Sequence, residues 1–218
     1  MRAASVVLLV LLTACTPDQA GEVTGSPVPA APPLPSATAQ PVPPSPVAPV
    51  VEVRYAVEVR AADLPGAAEV VRSTLSDPHG WQRAGFVLVH DDTAEYRVIV
   101  AEPAEVDRLC LPYDTYGRYS CQNGPVVALN AERWRTATPQ WTGDLATYRQ
   151  MLVNHEVGHL LGMRHPPEPQ CPVPGRPALV MSQQSTELDG CLPNPWPLPQ
   201  EIERAARHDL PLAPPYDR

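Results

Sequence analysis

Apolar and polar residues alternate one by one over Val51–Arg60, Val-Glu-Val-Arg-Tyr-Ala-Val-Glu-Val-Arg. This is the period-two signature of a β-strand with one face in water. Over Pro65–Leu75 the apolar positions shift to helical spacing, which predicts a helix packed on that sheet. Two further β runs, Gly85–His90 and Tyr96–Ala101, are separated by the turn residues Asp91-Asp92-Thr93. Pro125–Asn130 reads as another short strand after the turn signal Asn123-Gly124. Asp144–Leu161 carries the strongest helical pattern in the chain, ended by Gly162 where a left-handed cap is favoured. A short helix over Glu201–His208 follows the proline-rich Pro193–Pro199. The expected fold class is α+β, with a small mixed sheet, one helix backing it and a loop-rich C-terminal part. No internal repeat is visible.

The flanks read differently. Met1–Cys15 has the form of a lipoprotein signal peptide: Arg2, an apolar run over Val6–Leu12, and the box Leu12-Thr13-Ala14-Cys15. The run is about half the roughly 20 apolar residues a spanning helix needs. Cys15 is therefore the expected lipidation site and the membrane attachment. Residues 16–50 hold eleven of the chain's thirty prolines and few large apolar side chains, as expected of an extended, disordered linker. The globular part is then 51–210, followed by a tail over 211–218. These boundaries place the domain on the extracellular face of the cytoplasmic membrane, or released from it.

Charge and cysteines narrow the partners. The net charge is −8 and all 16 basic residues are arginines, without a basic cluster, which argues against nucleic acid. Beyond Cys15 four cysteines remain, and an even number in an exported chain points to disulfides. Three pairings are open. The nearest-neighbour scheme, Cys110–Cys121 and Cys171–Cys191, is preferred because each loop is short and rich in turn residues.

The chemistry concentrates in His155-Glu156-Val157-Gly158-His159-Leu160-Leu161-Gly162-Met163-Arg164-His165. His155 and His159 leave one face of a helix a turn apart, so both imidazoles can reach one ion. Gly162 lets the chain turn back and bring His165 as a third ligand. Three protein ligands leave a fourth position open, the layout of a catalytic Zn2+ site. Glu156 lies beside the first ligand, where it can reach a water and serve as general base. Because zinc binds neutral imidazole, occupancy is expected to fall below about pH 6.

This segment resembles the extended zinc motif of the metzincin metallopeptidases. The resemblance implies a methionine turn beneath the metal, for which Met181 in Leu179-Val180-Met181-Ser182-Gln183 is the candidate. It further implies a zincin fold in which a zinc-binding helix lies beneath the sheet. Cys110–Cys191 also resembles an uncharacterised secreted or lipid-anchored actinobacterial domain grouped with these peptidases. Some metzincins carry a tyrosine two residues after the turn methionine; Gln183 stands there in this chain, so that role is not carried over. The implied activity is a zinc-dependent endopeptidase acting on protein or peptide substrates. Two alternatives stay open, a cell-wall peptide hydrolase and a non-catalytic envelope module with a structural zinc. Trp134, Trp141 and Trp196 are expected in the core rather than along a cleft.

Overall fold

The computed structural model of the chain describes residues 50–209 together with 211 and 212. The leader with Cys15, the linker up to residue 49 and residues 213–218 lie outside the described residues. Among the described residues no helix is long and apolar enough to cross a membrane.

The fold is α+β, built on a five-stranded mixed sheet in the order β2-β1-β3-β5-β4. β1 (Val51–Val59), β2 (Phe86–His90), β3 (Tyr96–Ala101) and β5 (Val126–Asn130) run parallel, while the edge strand β4 (Cys121–Asn123) is antiparallel to β5. The alternation in β1 sorts its side chains as expected. Val53 and Tyr55 are buried in the main core, and Glu52 and Arg54 are exposed on the other face. That wet face carries ion pairs, Arg54 with Glu52 at 2.7 Å and Arg60 with Glu58 at 2.6 Å.

β2 and β3 do not form a hairpin. Both lie parallel to β1, β2 registered on residues 51–55 and β3 on 55–59. The Asp91–Glu95 link therefore carries the chain from one side of β1 to the other without reversing it. The Asp91 N–H donates to the Tyr55 carbonyl at 2.9 Å, and Arg54 donates to the Asp91 carboxylate at 3.2 Å. The turn residues here serve a crossing.

α1 (Ala67–Ser76) matches the helical run and packs on the same sheet face as α4 (Leu145–Leu160). On the opposite face α2 (Pro103–Leu109) covers β3 and β5 with Val106 against Ile99, Ala101, Val126 and Ala128. β5 is thus buried on both faces, which is why its sequence shows no alternation. α3 (Ala131–Thr136) follows β5 directly, capped by the Asn130 side chain, which accepts from the Glu132 and Arg133 N–H groups. The last helix, α5, spans Pro199–Ala205 rather than Glu201–His208. Pro199 suits the first helical position, where no N–H is needed, and His208 has already left helical geometry with φ 49°. Trp134 and Trp141 are core residues, as expected.

α4 is capped by Asp144, whose carboxylate accepts the Thr147 N–H at 2.7 Å. At its other end Gly162 takes φ 91°. The Met163 N–H reaches the Gly158 carbonyl at 2.9 Å and the Gly162 N–H reaches that of His159 at 3.0 Å, the paired closure of a Schellman motif. From Met151 onward all of the helix but His159 is buried, and at Gly158 the packing reaches its backbone. A Cβ built there would stand 2.4 Å from the Met181 sulfur and 2.8 Å from a ring carbon of Trp81. Glycine in a helix interior ordinarily costs about 1 kcal/mol relative to alanine. The sign should reverse here: Gly158→Ala is expected to destabilise the fold by about 1–3 kcal/mol through overpacking. Thermal denaturation checks this, and an unchanged or raised midpoint would mean that Met181 and Trp81 make room.

Candidate metal centre

The helical spacing of α4 sets His155 and His159 on one face, and the reversal at Gly162 returns His165 to them. The His165 Nε2 lies 3.2 Å from that of His155 and 3.1 Å from that of His159. Nitrogens bound tetrahedrally to one ion at about 2.0–2.1 Å sit about 3.3 Å apart, so His165 already stands at coordination spacing from both helical histidines, and the three ligand atoms all lie within 4.8 Å of one another. Their outer nitrogens explain why the inner ones are free. His155 Nδ1 lies 2.8 Å from the Val180 carbonyl and His159 Nδ1 3.0 Å from the Met163 carbonyl. A carbonyl can only accept, so both Nδ1 atoms carry the proton and both Nε2 atoms present lone pairs. The third ring differs: the Gln183 side-chain NH2 lies 3.4 Å from His165 Nδ1 and can only donate to it, so this contact does not fix the tautomer as the carbonyls do for the other two. Convergent lone pairs repel unless a cation lies between them, and the donor set fits zinc.

The electrostatics agree. Burial, reinforced by the neighbouring imidazoles, holds His155 well below the usual histidine range. Burial brings His159 down to about 4, and also lowers His165. All three are therefore neutral at pH 7 without help from a metal, and proton competition for the ligands begins lower than an unperturbed imidazole would suggest. Glu156 is buried and lines the same cleft, and its burial pushes the carboxyl up to about 8.

The cleft has a volume of about 580 Å³ and lies between α4, the start of β4 and the turn after Met181. Met181 is buried, with its sulfur against Gly158 of α4. The four cysteines pair as preferred, Cys110–Cys121 and Cys171–Cys191. The first bridge ties the cleft-lining Cys121 of β4 to the end of α2. The second closes the loop around Met181. Just ahead of that loop the Gln170 carbonyl accepts from the Ser182 hydroxyl at 2.8 Å, and the Gln170 side chain accepts the Gln183 N–H at 2.6 Å. None of the tryptophans lines the cleft.

Three supporting residues carry no motif in the sequence. Glu201, 4% exposed on α5, accepts the Val180 N–H at 3.0 Å, the Met181 N–H at 2.9 Å and the Leu198 N–H at 2.9 Å. It holds the peptide whose carbonyl fixes His155. Burial raises its pKa, and the three N–H donors pull it back. The bond to Leu198 is half of a capping box, and the Glu at the third helical position was the one available signal. Gln184 and Asn194 form a buried pair, with the Gln184 amide donating to the Leu179 and Asn194 carbonyls and its oxygen accepting the Asn194 N–H at 2.9 Å.

A family profile described as a protein of unknown function (DUF3152) matches residues 47–199, more than half of the chain. No curated protein matches it.

Two outcomes follow from this geometry. Glu201→Gln replaces one accepting oxygen by an NH2 group that faces a backbone N–H. It should cost about 1–3 kcal/mol and weaken zinc binding, read by thermal denaturation and by competition with a chromogenic chelator. An unperturbed zinc affinity would show that His155 is positioned without it. The second concerns protons. With its carboxyl at about 8, Glu156 is protonated at pH 7, and a bound dication favours the ionised form. Zinc binding should then release up to about one proton, with affinity rising as pH rises toward 8. Calorimetry in buffers of different ionisation enthalpy measures this. Equal release by wild type and Glu156→Gln would remove Glu156 as the source.

Proposed function

The chain belongs to the DUF3152 family of proteins of unknown function, and from that premise we propose that it is a zinc-dependent metallopeptidase of metzincin type. The observation that carries this reading is the convergence of three imidazoles, His165 Nε2 lying 3.1–3.2 Å from the other two Nε2 atoms, beside a buried glutamate in an open cleft. The resemblance of His155–His165 to the metzincin motif, and the position of Met181, support the same reading. His155, His159 and His165 would hold the metal.

Zinc, when bound, supplies Lewis acidity toward a substrate carbonyl and acidifies water. The chain's own residues do the rest. Glu156, adjacent to His155 and facing the cleft, accepts a proton from the attacking water at its carboxylate. It then delivers that proton to the leaving nitrogen. A carboxyl whose pKa is raised by burial is suited to both halves of this transfer near neutral pH. Val180 and Met163 keep the two helical histidines in the tautomer that binds metal. Gln183 stands beside His165 at the place where some metzincins carry a tyrosine. The leader and Cys15 support the extension of this reading to an enzyme anchored outside the cytoplasmic membrane.

The test is cleavage of a mixed peptide library by the zinc-loaded chain and by its Glu156→Gln variant. The variant should retain one zinc and lose about 10²–10⁴-fold in turnover, the range a general acid–base contributes. Loss of zinc in the variant would assign Glu156 to structure. Equal turnover by the two would move the chemistry elsewhere.

A further inference from the structure

The cleft has a side chamber. A cavity of about 320 Å³ lies between the link joining α3 to α4 and the turn at Ser185 and Thr186. It shares Tyr119, Ser185 and Thr186 with the larger cleft. Its lining holds two guanidinium groups, Arg118 and Arg133, and four hydroxyls, from Tyr119, Thr138, Ser185 and Thr186, with no carboxylate.

Two features make this more than a dent. The first is charge. The lining brings two arginines together without a carboxylate, although five of the fourteen arginines among the described residues, Arg54, Arg60, Arg72, Arg97 and Arg135, do sit against carboxylates. Neither Arg118 nor Arg133 has a carboxylate within ion-pair distance among the described residues. The second is unmet hydrogen bonding. Arg133 donates from Nη1 to the Ala137 carbonyl at 2.8 Å, yet its Nε–H is buried with no acceptor. The Thr138 hydroxyl, on a residue 9% exposed, is also buried without a partner. Buried donors left unpaired are rare and costly, and each asks for an acceptor. The unpaired Arg133 Nε–H and Thr138 hydroxyl, in a lining that also holds the exposed Arg118 and no carboxylate, ask for an anion. The planar fork of arginine matches a carboxylate or a phosphate, and of the two a peptide carries the carboxylate.

We propose that this chamber is a carboxylate-recognition subsite, taking the acidic side chain or the free C-terminal carboxylate of a peptide lying in the cleft. The inference rests on the reading of the cleft as a peptide site. The shared wall at Tyr119, Ser185 and Thr186 gives a peptide bound beside Glu156 a direct way in. The Tyr148 hydroxyl, bonded to Ser185 at 3.0 Å, fixes one side of that wall. A subsite built this way selects substrate by charge, so it discriminates Glu from Gln rather than large from small.

The experiment measures binding apart from turnover. The full zinc-loaded chain carrying Glu156→Gln is titrated with a position-scanned set of amidated peptides bearing Glu or Gln. A second set carries Gln throughout with a free or an amidated C-terminus. At one position the carboxylate form should bind about ten- to hundredfold more tightly, and the set that shows it identifies side chain or terminus. Adding Arg133→Gln should bring that ratio toward one. Arg118 is exposed, so Arg118→Glu tests the same point on a fold left undisturbed if Arg133→Gln is unstable. Equal binding of both forms at every position, no binding of any peptide, or a preference that survives Arg118→Glu together with Arg133→Gln would overturn the proposal. Charge discrimination without cleavage by the wild type would sink the peptidase reading and leave the subsite standing. Cleavage without charge discrimination would do the reverse.

Discussion

Three imidazoles can share one cation only if each turns a lone pair inward, and in this chain backbone carbonyls impose that condition on two of them. Val180 and Met163 each accept an Nδ1 proton, which leaves Nε2 of His155 and His159 with nothing to donate. Both carbonyls must themselves be fixed. That of Met163 is fixed by the Schellman closure at the end of α4. That of Val180 is fixed by Glu201, which reaches from α5 to grip the two amides around it. Much of the C-terminal third of the chain is thereby committed to the orientation of a single ring. The buried Gln184–Asn194 pair and the Cys171–Cys191 bridge continue the same construction around the methionine turn.

The sheet contributes through its edge. β4 is only three residues long and antiparallel, too short to hold a wall by its ladder alone. The Cys110–Cys121 bridge secures it to the end of α2, while Asn123 donates to the Leu109 and Leu111 carbonyls at 3.1 and 2.7 Å. Stapled loops and a short strand stand in for the extended sheet edge that a larger domain could provide.

The parts legible in the sequence were those governed by local rules. Val51–Val59 and α4 declared themselves by periodicity. Gly162 did so by its conformational freedom, and the histidines by their spacing. The turn residues at Asp91–Thr93 mark a break between strands, but nothing local says whether such a segment reverses the chain or carries it across a neighbouring strand. α2 and α3 are only seven and six residues long, too short for a helical period to show in the sequence. β4 lay inside a stretch dominated by turn signals. Glu201 looked like an ordinary helix-start glutamate, since its importance comes from a contact 20 residues away in sequence. The Arg133 chamber was invisible for a related reason: an arginine is unremarkable until its partners are shown to be missing.

Gly158 has a meaning beyond this molecule. Its missing side chain is the space that Met181 and Trp81 fill, so the fourth letter of His-Glu-Val-Gly-His records a steric fact, whereas the two histidines record ligation. A distant sequence with the paired histidines and the glutamate but a bulkier residue between them cannot seat this methionine and indole under its helix. It would have to floor its metal pocket in some other way. The glycine therefore separates shared architecture from shared chemistry when remote sequences are sorted, a distinction the ligands alone cannot make.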